Sequence, residues 1–206
     1  VPMSLKFKRS AYSDPWMEYD SDGNLYFTAI QFDIINKGKE GIFMARSTDD
    51  GTTWKTDYNF VDYNGKENIH LDRPKIYIDK NSFRKNSIYI SWNEINGFDS
   101  FIMFSGSSDG GNTFTPPVTI EKHDIKYCSL TGDINGNLYI AYLKNQNRLS
   151  IKKSTDGGKL WGKEISYLDI VPSGIKNENQ YVIKNLDKKG IRVNSEPSLI
   201  VSENND

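Results

Sequence analysis

The sequence predicts an all-β β-propeller, on three observations: a turn signature in three copies, the same strand phrases around each copy, and no sustained helical periodicity. The turns are Ser47-Thr48-Asp49-Asp50-Gly51-Thr52-Thr53-Trp54, Ser107-Ser108-Asp109-Gly110-Gly111-Asn112-Thr113-Phe114 and Ser154-Thr155-Asp156-Gly157-Gly158-Lys159-Leu160-Trp161. They share Ser-x-Asp-x-Gly-x-Thr-Trp/Phe, with Leu160 the one departure. Each part has a mechanism: the Asp accepts N–H bonds across the loop, the Gly takes positive φ, and the aromatic plugs the gap between sheets.

The frame around each turn repeats too. Asp20-Ser21-Asp22-Gly23-Asn24-Leu25-Tyr26-Phe27 and Asp133-Ile134-Asn135-Gly136-Asn137-Leu138-Tyr139-Ile140 are hairpin turns entering strands, and the second unit stretches this turn between Asp79 and Ser87. A second apolar run enters each signature: Gly41–Arg46, Phe101–Ser105 and Leu149–Lys153. Opening strands precede the units: Asp14-Pro15-Trp16-Met17-Glu18-Tyr19-Asp20 corresponds to Arg73-Pro74-Lys75-Ile76-Tyr77-Ile78-Asp79, and Glu196-Pro197-Ser198-Leu199-Ile200-Val201 repeats the phrase. A leading proline removes no ladder bond there. Four strands per unit describe blades, at about 12–63, 71–122 and 126–168. Residues 169–195 form a polar excursion between blades, and 196–206 begin a fourth blade with its first strand. Three blades do not close a ring, so the expectation is a partial propeller, completed to six or seven blades by the rest of a parent chain.

Composition bounds the partners. The 206 residues carry 26 Lys plus Arg against 27 Asp plus Glu, which gives no electrostatic reason for a nucleic-acid partner. No apolar run is long enough for membrane insertion as a helix. The single cysteine, Cys128, excludes an intrachain disulfide and reads as a small buried residue. His70 and His123 lie far apart without ligand spacing, so no metal is expected, and no cofactor motif occurs. Asp20-Ser21-Asp22-Gly23-Asn24 lacks the distal Glu of a calcium loop.

The three signatures resemble the Asp-box, or bacterial neuraminidase, repeat, and the opener phrases resemble exo-α-sialidase-type propellers of bacterial secreted proteins. The resemblance implies a sialidase-like β-propeller in an extracytoplasmic place, secreted or at the cell surface. It also implies that the boxes are structural and peripheral: Ser47, Asp49, Gly51 and Trp54; Ser107, Asp109, Gly111 and Phe114; Ser154, Asp156, Gly158 and Trp161. Sialidase catalysis, by the same resemblance, needs three arginines on the substrate carboxylate, a Tyr nucleophile with a Glu partner, and an Asp acid/base. The first-arginine phrase, Phe/Tyr-Arg-Ile-Pro, has no match here, and Asp72-Arg73-Pro74 is the nearest. Arg73 on an opening strand either faces the central channel or pairs with Asp72.

The other channel-facing candidates are Asp14, Asp72 and Glu196, grouped as equivalent opener positions, with Trp16 and Trp92 as sugar-stacking rings or blade packing. The carboxylates either bind cations or sugar hydroxyls, or satisfy backbone amides. The reading is a non-catalytic module binding a glycan or a surface protein. The alternative is an exo-α-sialidase or related hydrolase completed by blades outside this chain.

Overall fold

The computed structural model describes residues 10–33, 39–55, 59–64, 69–170, 175–177, 180–184, 190–192 and 196–201. Among them are three four-stranded antiparallel sheets, each in plain sequential order. The first takes β1 (Ser10–Tyr19), β2 (Leu25–Asp33), β3 (Glu40–Ser47) and β4 (Asn59–Asn64). The second takes β5 (Ile69–Ile78), β6 (Ile88–Asn96), β7 (Asp99–Ser107) and β8 (Val118–Lys122). The third takes β9 (Ile125–Gly132), β10 (Leu138–Lys144), β11 (Arg148–Ser154) and β12 (Glu164–Asp169).

The core lies between sheets rather than inside one. Period-two alternation sends Ile88, Ile90 and Trp92 of β6 towards Tyr26, Ile30, Ile42 and Met44 of the first sheet. Tyr89 of the same strand joins Leu130, Leu138, Ile140 and Tyr142 of the third sheet. Both faces of β6 are therefore buried, as a middle blade of a propeller requires. The strands β1, β5 and β9 form one edge of their sheets, and β5 packs beside both others, so the inner edges converge on a common axis.

Two kinds of carboxylate-centred turn fix the blades. At the inner hairpins, Asp20 Oδ1 accepts the N–H of Asp22 (3.0 Å) and Asn24 (2.8 Å), while Asn24 Nδ2 and the Tyr26 hydroxyl donate to Oδ2. Asp133 repeats this set with Asn135, Asn137 and Tyr139. In the stretched second copy Asp79 holds the N–H of Asn81 and Ser82 together with the Ser82 hydroxyl. That loop reaches back to the first blade, where Ser21 Oγ donates to Asn86 Oδ1 (2.7 Å) and Asn86 Nδ2 donates to Asp22 (2.6 Å).

The Ser-x-Asp turns share one bonding pattern. In all three the Ser hydroxyl donates to the Asp carboxylate at 2.8 Å, and the Gly N–H donates to the Ser oxygen at 2.9 Å. Thr53 and Thr113 add an N–H and a hydroxyl to Asp49 and Asp109; Leu160 supplies only its N–H to Asp156, so the third carboxylate lacks the hydroxyl donor of the other two. Two of the terminal aromatics lie against a neighbouring sheet: Trp161 meets Phe104 of the second sheet edge-on at 5.4 Å, and Phe114 packs on the core between the first and second sheets, whereas Trp54 packs on Phe27 of its own sheet.

A half-buried polar seam joins the second and third blades. Glu121 of β8 receives Lys152 Nζ at 2.8 Å and the Tyr142 hydroxyl at 3.2 Å, with Lys144 at 3.5 Å. Burial opposes ionisation of Glu121, but the Lys152 hydrogen bond, the Lys122 N–H and the two lysine charges outweigh it and lower its pKa to about 2 from the usual 4.5. A carboxylate lowered by folding stabilises the fold above its unfolded pKa, and that contribution is lost as pH falls from about 4.5 through about 2. Melting midpoints between pH 6 and pH 2 should therefore fall more steeply for wild type than for Glu121→Gln. Equal slopes would remove Glu121 from the acid response.

Between the third blade and residue 196 the sequence reads only an excursion. Its described residues form a small antiparallel sheet of β13 (Ile175–Asn177), β14 (Gln180–Lys184) and β15 (Gly190–Arg192). Strands this short, set among Lys and Asn, carry too little alternation to stand out. Glu196–Val201 run beside β9 without a ladder to any described strand, and residues 202–206 of the fourth-blade opener lie outside the described residues.

Candidate functional site

Each inner strand is interrupted at the same place. Register shifts fall between Ser13 and Trp16 in β1, between Asp72 and Lys75 in β5, and at Tyr127 in β9. The extra residue of each bulge, Asp14, Arg73 and Tyr127, has a φ of 52°. Bulges re-aim side chains, and left-handed non-glycine residues persist only where the surroundings hold them. Pro15 and Pro74 follow the first two and give no N–H to a ladder.

This register corrects one grouping. Asp72 pairs opposite Asn93, one residue before the bulge, so the equivalents are Asp14, Arg73 and Tyr127, with Glu196 matching through its own following proline. The axial ring is consequently mixed in charge rather than a ring of carboxylates. The discrepancy is one residue, and it arises because both Asp72 and Arg73 lie next to Pro74 in sequence but only one is bulged.

The ring residues converge. The Arg73 N–H lies 3.4 Å from Asp14 Oδ2, its guanidinium stacks 4.4 Å from the Tyr127 ring centre, and Nη1 donates to Glu196 Oε2 at 3.2 Å. Asp72 sits 3.6 Å from Arg73 Nε. Glu196 Oε1 takes Lys75 Nζ at 2.8 Å, and that same ammonium lies 3.9 Å from the centre of the Trp16 ring. Arg73, Asp72, Asp14, Glu196 and Trp16 thus form one cluster. Lys75 and Tyr127 join it unanticipated, Tyr127 because Cys128 stands where the other openers have proline.

Trp92 does not belong to the cluster. It is 0% exposed, enclosed in the core between the first and second sheets, and its indole N–H has no partner. The correction was legible in the strand itself, since Trp92 shares a face with Ile88 and Ile90.

Beside the cluster is a cavity of about 580 Å³ along the inner strands. Trp16 and Glu18 line it from β1, Lys75 and Tyr77 from β5, Ser129 and Thr131 from β9, with residues 196–201 forming a further wall. Trp16 is 42% exposed. Aromatic surface beside convergent hydroxyls and charges suits a polar ligand with apolar faces.

Other reactive groups are committed to structure. The Ser-x-Asp carboxylates are saturated by donors: the Thr53 hydroxyl and N–H hold Asp49 below its usual range, and the Thr113 N–H and hydroxyl lower Asp109 to about 2. The one Tyr–Glu pair in the seam, Tyr142 with Glu121, has a fully buried phenol whose pKa is pushed up by burial and then by the Glu121 and Glu164 charges. A phenol so placed resists becoming a nucleophile. His70 binds Glu40 at 2.9 Å and His123 binds Asp99 at 3.1 Å, and among the described residues no three potential ligands gather for a metal ion.

No protein-family model matches the chain, and no curated protein matches it by sequence. Solved structures do match its fold. The Hadza microbial sialidase Hz136 is 18% identical with a TM-score of 0.56, covering 76% of this chain and 38% of that one. The α-L-arabinofuranosidase of Fusarium graminearum is 18% identical with a TM-score of 0.56, covering 82% and 50%. The β-fructofuranosidase of Schwanniomyces occidentalis is 14% identical with a TM-score of 0.58, covering 84% and 37%. The chain spans half or less of the length of each of these. The fold is that of the propeller glycosidases, a sialidase-like β-propeller in part.

Proposed function

We propose that the chain is part of an Asp-box β-propeller, secreted or at the cell surface, that binds a glycan at its axial cavity without hydrolysing it. Further blades of a longer chain complete the ring to six or seven. The three Ser-x-Asp turns are the Asp boxes; they brace the rim and leave recognition to the inner strands. The observation that carries the reading is the cavity of about 580 Å³ whose wall combines the exposed Trp16 ring with Lys75, Glu196, Ser129 and Thr131. Indole faces cover the apolar side of a pyranose while hydroxyl and charged groups fix its orientation.

One observation favours binding over turnover: the Tyr142 phenol is enclosed away from the cavity. A glycan-array screen followed by titration calorimetry tests the reading. Trp16→Ala should weaken the best glycan about tenfold, the scale of a lost aromatic contact, with the melting midpoint nearly unchanged. Full affinity in Trp16→Ala, or no glycan bound by the wild type, would overturn it.

The hydrolase reading keeps one specific support, the position of Arg73 at the bulge beside the cavity. A fluorogenic sialoside assay on the complete protein, with every blade present, separates the two. Turnover abolished by Arg73→Ala would establish the hydrolase, and no turnover favours the binding module.

A further inference from the structure

We propose that Arg73 and Lys75 form a carboxylate-binding site that the chain's own Glu196 occupies, which makes residues 196–201 an internal competitor for the axial cavity. The proposal rests on reading that cavity as a ligand site, but not on the ligand being a glycan.

The two cations belong to the blade. Arg73 is set by the β5 bulge and stacked 4.4 Å from the Tyr127 ring centre; Lys75 follows on the same strand, 3.9 Å from the Trp16 ring centre. Neither placement needs Glu196. Both oxygens of Glu196 are used, one on each cation, at 3.2 and 2.8 Å. One carboxylate bridging two cations between two aromatic rings describes a recognition site with its occupant in place.

The occupant is the more exposed partner. The side chains of Arg73 and Lys75 are 23% and 14% exposed, against 34% for Glu196, so the anion arrives from the open side. Its segment is held lightly. Residues 196–201 wall the cavity but carry no ladder, and Leu199 N–H donates to the Ser129 hydroxyl at 3.2 Å. Glu196 is the member of the pairs open to solvent and to screening by salt. A dissolved carboxylate can therefore take the place of Glu196, and displacing it widens the cavity. A tethered competitor acts at an effective concentration on the order of millimolar, so it masks weak ligands and yields to stronger ones.

The test uses the full chain and three probes at constant ionic strength: acetate, glucuronate and glucose, followed by amide chemical shifts. Glu196→Gln should tighten acetate and glucuronate roughly tenfold, the gain from removing a tethered competitor, and leave glucose unchanged. Adding Lys75→Met and Arg73→Ala should cancel the gain. In the wild type, saturating glucuronate should shift the Leu199 amide and speed its hydrogen exchange. Glu196→Ala serves as the second variant should the glutamine protein melt abnormally. Unchanged carboxylate affinity in a folded Glu196 variant, or a gain that survives loss of both cations, would overturn the proposal. An acetate gain with no glycan bound upholds it while the glycan reading fails. Glycan binding without any gain does the reverse.

Discussion

Replacing Trp92 with alanine is expected to lower the unfolding free energy by about 3–5 kcal/mol, the range for truncating a large aromatic in a packed core. Trp92 is the largest fully buried side chain, and it fills the layer between the first and second blades against Ile88, Ile90 and Leu71. The surrounding strands are fixed by their own ladders and cannot collapse into the void. Because its indole N–H has no partner, a phenylalanine there loses volume but no hydrogen bond, and Trp92→Phe should cost only about 1–2 kcal/mol. Urea denaturation of the two variants, with Trp16→Ala as an exposed comparison, checks this. Trp92→Ala as mild as Trp16→Ala would mean that the blades do not pack through this residue.

Gly158→Ala should cost about 2–4 kcal/mol, from strain and overlap together. Gly158 has φ +88°, and a methyl built on it would overlap Cε1 and Cζ of Phe104 on the neighbouring blade. Phe104 cannot yield easily, since Trp161 meets it edge-on and Tyr89 stacks on its other side at 5.9 Å. Gly23 is the natural control. Its φ is +84°, but nothing lies within 4 Å of an added methyl, so Gly23→Ala should cost only about 1 kcal/mol. The difference between the two variants measures how tightly the rim turn of one blade sits on the next. A difference near zero would separate the turn from the inter-blade contact.

How far the sequence discloses this molecule depends on what each feature needs. The Ser-x-Asp turns were legible because their bonds are local: Asp49, Asp109 and Asp156 bind atoms within four residues. The burial of Trp92 was legible too, through its spacing from Ile88 and Ile90, although its size invites reading it as a stacking ring. The bulge was half visible. Proline marks it in Asp14-Pro15 and Arg73-Pro74, but Cys128 replaces proline in the third blade and hides Tyr127. The Glu121 seam with Lys144 and Lys152 was not legible, because it joins residues from different blades and no local pattern announces it. The candidate site is of the same kind. Arg73, Asp14, Trp16 and Glu196 could be nominated by repeat position, yet the Glu196 bridge between Arg73 and Lys75 spans more than a hundred residues.

The division of labour that follows is geometric. The Ser-x-Asp turns carry carboxylates saturated by local donors, while the inner strands present strained, chemically varied side chains towards the axis. Asp14, Arg73 and Tyr127 occupy one structural position with three chemistries, whereas Asp49, Asp109 and Asp156 occupy one position with a single chemistry.

The most direct test is a map of amide chemical-shift changes on titrating the best glycan from an array. Shifts should concentrate at Trp16, Lys75, Ser129, Thr131 and Leu199, around the axial cavity. Shifts centred instead on Asp49, Asp109 and Asp156, with the axial amides still, would place recognition on the rim and contradict the account.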